Sequence, residues 1–178
     1  MLLDLTEAIK HQGDSISFVA QGILPEGALP DDVELDGEVS VTGSLTAFGH
    51  SVAVCGTIDA SFKVSCALCL KPMVYKLSVN YDELLQRRGY EHEKLDEDDE
   101  EDISEQDPVM FDGSSCDITD SVCEAINLHL PMRYLCKSDC KGLCPSCGKD
   151  LNKGSCTCTP AGSSPFAALK QLLEEEKE

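Results

Sequence analysis

The amino-acid sequence predicts an α+β fold: an antiparallel β-meander or partly open barrel over the N-terminal two-fifths, an acidic linker, a helix, a cysteine-rich loop and a short C-terminal helix. Three observations lead to this prediction. Apolar and polar residues alternate across residues 15–82, eleven acidic residues crowd into 91–107, and six cysteines lie within 136–158. We therefore expect a β-rich domain at 1–90, a disordered insertion at 91–112, and a helical, cysteine-rich part at 113–178 packed on the β domain.

The alternation with period two is typical of strands that bury one face and expose the other. Short connections at 49–51 and 66–72 predict hairpins between these strands, and Ile16 and Phe18 indicate an earlier strand. The alternating apolar positions of the three main runs are Val33, Leu35, Val39, Val41, Leu45 and Ala47; Ile58, Ala60, Phe62 and Val64; and Tyr75, Leu77, Val79 and Tyr81.

The formal net charge is −19, and much of it lies in residues 91–107, which hold eleven acidic residues and one lysine. A segment this acidic repels itself and has little apolar surface to bury, so we expect a disordered linker. It is either a solvating insertion or a mimic of nucleic-acid charge that binds a basic protein. Taken as a whole, the chain should be repelled by nucleic acids and anionic membranes.

Two helices are predicted after the linker. Asp117 is a suitable N-cap for the first helix, and Pro131 ends it. The second begins with Ser164 as N-cap and Pro165 in the first turn, and its apolar side chains recur at helical spacing up to Leu173.

No targeting segment and no apolar run long enough to span a membrane are visible, so we expect a cytoplasmic protein. In a reducing compartment the eleven cysteines do not form a disulfide framework. Metal binding then becomes the leading use of those that cluster in the sequence.

Cys144-Pro-Ser-Cys147-Gly148 is the strongest metal-binding signal in the sequence. Two thiolates three residues apart can hold one metal if the backbone turns tightly, which Pro145 and Gly148 favour. Zinc needs four such donors at ~2.3 Å, and we prefer Cys144, Cys147, Cys156 and Cys158. Alternatively, Cys136 and Cys140 replace one or both downstream cysteines, or all six hold two ions.

An all-cysteine shell leaves no open coordination position, so the predicted zinc staples the loop and does not catalyse a reaction. The chain has no phosphate-binding glycine motif, and its histidines are too scattered to indicate a catalytic group. We therefore predict neither an enzyme nor a small-molecule substrate.

Cys66-Ala-Leu-Cys69 lies between two predicted strands, with Pro72 after it. A thioredoxin-like pair opens a helix instead, so we favour packed or accessory cysteines over a redox dithiol here. The cysteine-rich segment is also locally basic. Its cations either neutralise thiolates or contact RNA phosphates, and they are Arg133, Lys137, Lys141, Lys149 and Lys153.

These stretches together resemble the YceD family, the large ribosomal RNA subunit accumulation proteins of bacteria and plastids. The resemblance covers most of the chain except the acidic insertion. At residue 68 the family often has Arg, whereas this chain has Leu68, which removes any contact that the Arg makes. The matching pieces are CALCLKP (66–72), INLHLPMRYLC (ending at Cys136), CKGLCPSCGKDLN (140–152), Cys156-Thr-Cys158 and SPFAALKQLL near the end.

The resemblance implies a non-enzymatic role in ribosome biogenesis that supports accumulation of the 23S rRNA. An acidic protein with a small basic zinc module is suited to bind a basic ribosomal protein, a pre-ribosomal particle, rRNA or a combination of these. Two other functions compete with this one: a thiol redox protein that uses Cys66 and Cys69, and a zinc-dependent nucleic-acid-binding regulator. The overall charge disfavours the regulator.

Overall fold

The computed structural model describes residues 1–90 and 108–158. Its backbone contacts separate two compact units. Unit 1 comprises Met1–Val64 and Pro72–Met132, and unit 2 comprises Ser65–Lys71 and Arg133–Glu178. The predicted C-terminal helix and residues 91–107 of the acidic insertion lie outside the described residues.

Strands dominate the described part of the chain, and the helices are short. Neither of these helices has the length and apolar character that crossing a membrane requires. In chain order the elements are β1 (Leu2–Asp4), α1 (Thr6–Lys10), β2 (Ser15–Gly22), β3 (Glu34–Leu35), β4 (Val39–Phe48), β5 (Ser51–Ser65), β6 (Pro72–Arg87), β7 (Val109–Phe111), β8 (Ser115–Asp117) and α2 (Thr119–His129).

The main sheet is open and has the strand order β2-β4-β5-β6-β7, with the short β3 also paired to β5. β2, β3 and β4 form antiparallel pairs, whereas β7 runs parallel to β6, with Leu85 opposite Val109. A second sheet consists of β1 and β8. Residues 1–90 and 108–158 are mostly sheet with a few short helices, as predicted, but this parallel pair and the small second sheet were not expected from the sequence.

Burial along the long strands follows the alternation in the sequence. On β5 the apolar side chains Ile58 and Phe62 are fully buried, whereas Asp59 and Lys63 point to solvent. Each fully buried side chain of this size contributes roughly 1.5–3 kcal/mol relative to an exposed one. The same pattern buries Val39, Val41, Leu45 and Ala47 on β4 and Leu77, Val79 and Tyr81 on β6.

The disordered insertion was predicted to extend to residue 112, but its last residues form a strand. β7 occupies Val109–Phe111 and pairs with the end of β6. Phe111 is only 3% exposed, so this short strand buries an apolar side chain. The prediction is therefore wrong for these three residues.

Two glycines face each other across β4 and β5, because Gly43 lies opposite Gly56. A Cβ atom on Gly43 would lie 2.2 Å from the carbonyl oxygen of Cys55 and 2.6 Å from the Cα atom of Gly56. The two backbones approach so closely here that there is no room for a side chain, which is one recognised use of glycine within a strand.

Helix α2 belongs to unit 1 and contacts β6, whereas the sequence analysis grouped it with the cysteine-rich segment. Its N-cap residue is Ile118 and not the predicted Asp117. The Asp117 carboxylate still accepts a hydrogen bond from the backbone N–H of Thr119, at 3.0 Å. The helix ends at His129, and its C-cap residue Leu130 has the extended backbone that a following proline favours. Ile118, Val122 and Ile126 are fully buried, and they anchor the helix.

A partly buried hydrogen bond joins β6 to α2, between the Tyr81 hydroxyl and the Ser121 hydroxyl. Burial raises the pKa of Tyr81 well above its ordinary value, so the hydroxyl stays protonated.

We expect Tyr81→Phe to lower the free energy of unfolding by about 1 kcal/mol, because it removes this hydrogen bond. Denaturant unfolding of Tyr81→Phe, Ser121→Ala and the double variant measures the coupling between the two side chains. Strictly additive effects would show that this hydrogen bond does not contribute to stability.

Candidate metal centres

Two groups of four cysteines occur in residues 1–90 and 108–158, and in each group the four Sγ atoms lie within 4.8 Å of one another. We call Cys144, Cys147, Cys156 and Cys158 the C-terminal tetrad. We call Cys66, Cys69, Cys136 and Cys140 the composite tetrad, because it combines residues from two distant parts of the sequence. All eight cysteines are free thiols.

The C-terminal tetrad unites the four cysteines that we preferred as zinc ligands. Its first pair lies on a tight loop in which the carbonyl of Cys144 accepts a hydrogen bond from the N–H of Gly148, at 2.8 Å. Gly148 has a φ angle of 71°, a left-handed conformation that glycine adopts without steric cost. The second pair, Cys156 and Cys158, is half-buried. The expected tight turn after the second cysteine is therefore present.

Cys136 and Cys140 do not join the C-terminal tetrad, although the sequence analysis considered them as substitutes for its downstream pair. They lie against Cys66 and Cys69 instead. The Sγ atoms of Cys66 and Cys140 are 3.8 Å apart, and those of Cys69 and Cys136 are 3.6 Å apart. Cys66 and Cys69 were not predicted to bind metal, but the structure places them in a group of four cysteines that could hold a metal ion.

The two CxxC loops have the same backbone arrangement. Where Gly148 donates to Cys144, Leu70 donates to the carbonyl of Cys66 at 2.9 Å. The N–H of Cys144 donates to the carbonyl of Lys149, and the N–H of Cys66 donates to that of Lys71, both at 2.9 Å. Leu70 even adopts the left-handed conformation of Gly148, with a φ angle of 56°.

Backbone N–H groups point at one sulfur atom of each tetrad. Those of Cys147 and Ser146 lower the pKa of Cys144 to about 6, so that this thiol is largely ionised at neutral pH. In the composite tetrad the N–H groups of Cys136, Cys69 and Leu68 lower the pKa of Cys66 to about 6 in the same way. Both loops therefore stabilise a thiolate, the form of cysteine that binds metals.

The remaining thiols of each tetrad are held against these thiolates. A hydrogen bond with Cys147, together with burial, raises the pKa of Cys158 to about 12. A hydrogen bond with Cys69, together with burial, raises the pKa of Cys136 to about 12. Crowded sulfur atoms resist ionising together unless a cation sits among them. Each tetrad thus has the donor set of a closed, tetrahedral site for a thiophilic ion.

Asn152 connects the segments that carry the two tetrads. Its side-chain oxygen accepts a hydrogen bond from the N–H of Lys141 at 3.0 Å, and its amide nitrogen lies 3.5 Å from the Sγ atom of Cys140. The Asp150 carboxylate accepts from both the backbone and the side chain of Asn152, at 2.9 Å each. Amide contacts of this kind orient sulfur ligands in metal sites.

The predicted basic residues lie in unit 2, and some of them line a groove beside the composite tetrad. The groove has a volume of about 510 Å³, and Lys71, Lys137 and Lys153 line it. Lys137 lies 3.6 Å from Asp139, and Lys153 lies 3.9 Å from Asp150.

The other predicted cations have separate places. Lys149 donates to the carbonyl of Ser155 at 2.8 Å, and this contact ties the side chain to the loop of the C-terminal tetrad. Arg133 and Lys141 flank Cys136 and Cys140 in the sequence. Lys71 is an addition to the predicted set, because only the structure brings its loop to this segment.

A sequence signal for the composite tetrad did exist. Residues 66–71, CALCLK, and residues 144–149, CPSCGK, share the pattern C-x-x-C-x-K. The repeat indicates two equivalent loops, each of which needs a second pair of ligands. Cys136 and Cys140 are the second pair for the loop of Cys66 and Cys69, whereas Cys156 and Cys158 are the second pair for the other loop.

A redox dithiol at Cys66 and Cys69 finds little support in the geometry. The pair does not open a helix but lies in the loop between β5 and β6. Cys66 is completely buried, which withholds it from a protein substrate. A nucleophilic thiol of this kind has to be accessible.

Comparison with known proteins gives one family match. Residues 54–173 match the model of the family described as large ribosomal RNA subunit accumulation protein YceD. This range includes both tetrads. No solved structure matches.

Several curated relatives are similar in sequence. An uncharacterized protein of Mycobacterium tuberculosis is 36% identical over 102 residues, which are 57% of this chain and 46% of the relative. The chloroplastic large ribosomal RNA subunit accumulation protein YCED homolog 1 of Zea mays is 27% identical over 140 residues, which cover 67% of this chain and 48% of that protein. The chain thus spans about half the length of the curated relatives it matches.

Proposed function

The chain belongs to the YceD family, and from this premise we propose that it is a non-enzymatic factor in the biogenesis of the large ribosomal subunit, where it supports accumulation of the 23S rRNA. The family match carries this proposal. The names of the plant relatives support it, since they refer to large ribosomal RNA subunit accumulation.

The proposed role of the metal is structural. Zinc in the C-terminal tetrad would hold together a loop with few apolar side chains, of which Leu143 and Leu151 are the largest. Four thiolates fit zinc by donor type, and they leave no position for a reacting water molecule. Bound zinc would therefore fix the shape of a surface and would not perform a reaction.

The proposed partners are a basic ribosomal protein, a pre-ribosomal particle and rRNA. A chain of net charge −19 attracts basic proteins over long distances. The described part of unit 2 differs from the rest, with six basic and two acidic residues. Two zinc tetrathiolates would offset this excess of positive charge. Contact with phosphate would therefore depend on the exposed lysines of the groove and less on the net charge of unit 2.

Gradient sedimentation of the tagged full chain in its own cells tests the role. We expect it to travel with large-subunit precursors at low salt and to leave them at high salt, since screening weakens charge contacts. Depletion of the chain should lower the ratio of 23S to 16S rRNA. An unchanged ratio, with neither ribosomal protein nor rRNA recovered at low salt, would contradict the proposal.

The contribution of the groove is tested by Lys71→Glu, since Lys71 lines it. We expect this variant to recover less rRNA in the same pulldown, because a cation beside the composite tetrad becomes an anion. Lys76→Glu, on the exposed face of β6 in unit 1, is the matched control for the change in net charge. Equal rRNA recovery with both variants would remove the groove from the proposed rRNA contact.

A further inference from the structure

We propose that Cys66, Cys69, Cys136 and Cys140 form a second zinc site, distinct from the site proposed at the C-terminal tetrad. This inference goes beyond the ribosomal role and does not depend on it. From the sequence we favoured packing for Cys66 and Cys69, and we considered Cys136 and Cys140 as alternative ligands of the C-terminal site. Geometry, backbone similarity and burial support the second site separately.

The sulfur geometry is that of a metal tetrahedron. With metal–sulfur bonds of ~2.3 Å, the sulfur atoms of a tetrahedral site lie about 3.8 Å apart. In the composite tetrad, Sγ–Sγ distances are 3.8 Å between Cys66 and Cys140 and 3.6 Å between Cys69 and Cys136, and all four Sγ atoms fall within 4.8 Å of one another. Packing alone rarely directs four cysteines from separate segments to one point.

The loop of Cys66 and Cys69 is built like the loop of Cys144 and Cys147. Both have the hydrogen bond that closes the turn after the second cysteine and the hydrogen bond from the N–H of the first cysteine. Leu70 adopts a left-handed backbone to complete this turn, although that conformation is sterically unfavourable for a residue other than glycine. A shared ligand for the two loops accounts for the shared backbone.

Backbone hydrogen bonds within unit 2 hold the segment of Cys136 and Cys140 against the loop of Cys66 and Cys69. The N–H of Ala67 donates to the carbonyl of Tyr134 at 2.8 Å, and the N–H of Leu143 donates to the carbonyl of Leu68 at 3.1 Å. Cys66 is fully buried and Cys140 is 9% exposed, so the centre of the tetrad is shielded from water. These contacts thus bring the four donors together at one position.

Zinc is the ion that this donor set favours. Four thiolates in a tetrahedron select zinc or iron among the common ions, and zinc needs no redox partner. Binding replaces the protons of the thiols and forms four zinc–sulfur bonds without any change of oxidation state. The site joins the loop between β5 and β6 to the segment after Met132, so the ion would link two stretches of chain that are distant in sequence.

The test is the zinc content of the purified full chain and of single cysteine variants. With both tetrads of the structure filled, we expect two zinc ions per wild-type chain by mass spectrometry of the metal. Cys69→Ser and Cys147→Ser should each retain one, and the double variant should retain almost none. Cys55→Ser, which changes an exposed thiol of β5, is the matched control and should retain two.

A single zinc ion in the wild type that persists in Cys69→Ser would overturn the proposal. A second measurement keeps the test decisive if Cys69→Ser does not fold. Wild-type chain is denatured in chelator without reductant, and its thiols are titrated. All eleven should react. A shortfall caused by disulfides between Cys66 and Cys140 or between Cys69 and Cys136, together with one zinc ion per chain, would show that the tetrad is a pair of disulfides.

Discussion

Replacing Cys144 by serine is expected to empty the C-terminal tetrad and to unfold the loop around it. Cys144 is 6% exposed, its carbonyl and its N–H close the tight turn, and its sulfur is the most stabilised thiolate of the group. Loss of an outer-shell partner already costs about 10–100-fold in metal affinity. Loss of Cys144, a proposed direct ligand, should lower the zinc affinity by more than this. Competition with a chromogenic chelator measures the affinity.

Hydrogen exchange reports the structural part of the same prediction. We expect amides of residues 142–156 to lose protection in Cys144→Ser, because structural zinc contributes folding free energy where a hydrophobic core is missing. Cys123→Ser, a buried thiol on α2 outside both tetrads, is the matched control and should leave zinc affinity unchanged. Wild-type zinc affinity in Cys144→Ser would remove this tetrad as a metal site.

The second large effect is expected in the sheet, where Gly43→Ala should lower the free energy of unfolding by about 3 kcal/mol. The new methyl group would overlap the carbonyl oxygen of Cys55, 2.2 Å away. Backbone atoms of a paired strand cannot step aside as a flexible side chain does. The two strands would have to separate at this point, which breaks hydrogen bonds on both sides of the glycine pair.

Denaturant unfolding of the full chain measures this effect. Ser44→Ala, the adjacent position on β4, is the control for changing a residue of this strand without adding an atom near Cys55. We expect the Ser44 variant to differ from wild type by less than about 1 kcal/mol. If Gly43→Ala is as stable as Ser44→Ala, the close approach of the two strands is relieved at little cost.

The long strands could be predicted because burial of one face imposes period two, and β4, β5 and β6 are long enough to show it. The short strands could not. β1, β7 and β8 have three residues each, which is too few for a period to appear. Their pairing depends on contacts with distant segments, such as that of Val109 with Leu85. The apolar run Val109–Phe111 closely follows the acidic stretch, but three residues do not show whether they form a strand.

The candidate sites divide in the same way between local and distant information. The C-terminal tetrad was predictable because its ligands and its turn residues, Pro145 and Gly148, lie within a short stretch. The composite tetrad joins two segments that are distant in sequence. The repeated C-x-x-C-x-K pattern indicates two equivalent loops, but no local spacing shows which cysteines complete the group around Cys66 and Cys69. The similarity of the two loops was also hard to predict because Leu70 stands where the other loop has Gly148. A leucine does not indicate a left-handed turn, whereas a glycine does.

The separation in sequence between the cysteines of the composite tetrad sets an order of assembly. Cys66 and Cys140 are 74 residues apart, whereas Cys144 and Cys156 are 12 apart. Closing the longer loop from an unfolded chain costs about 1.6 kcal/mol more in entropy. During synthesis, Cys66 and Cys69 are translated before Cys136 and Cys140. Their thiols therefore have no second pair of ligands until the later segment has been made. The C-terminal tetrad needs no such delay, so it is the faster of the two to close.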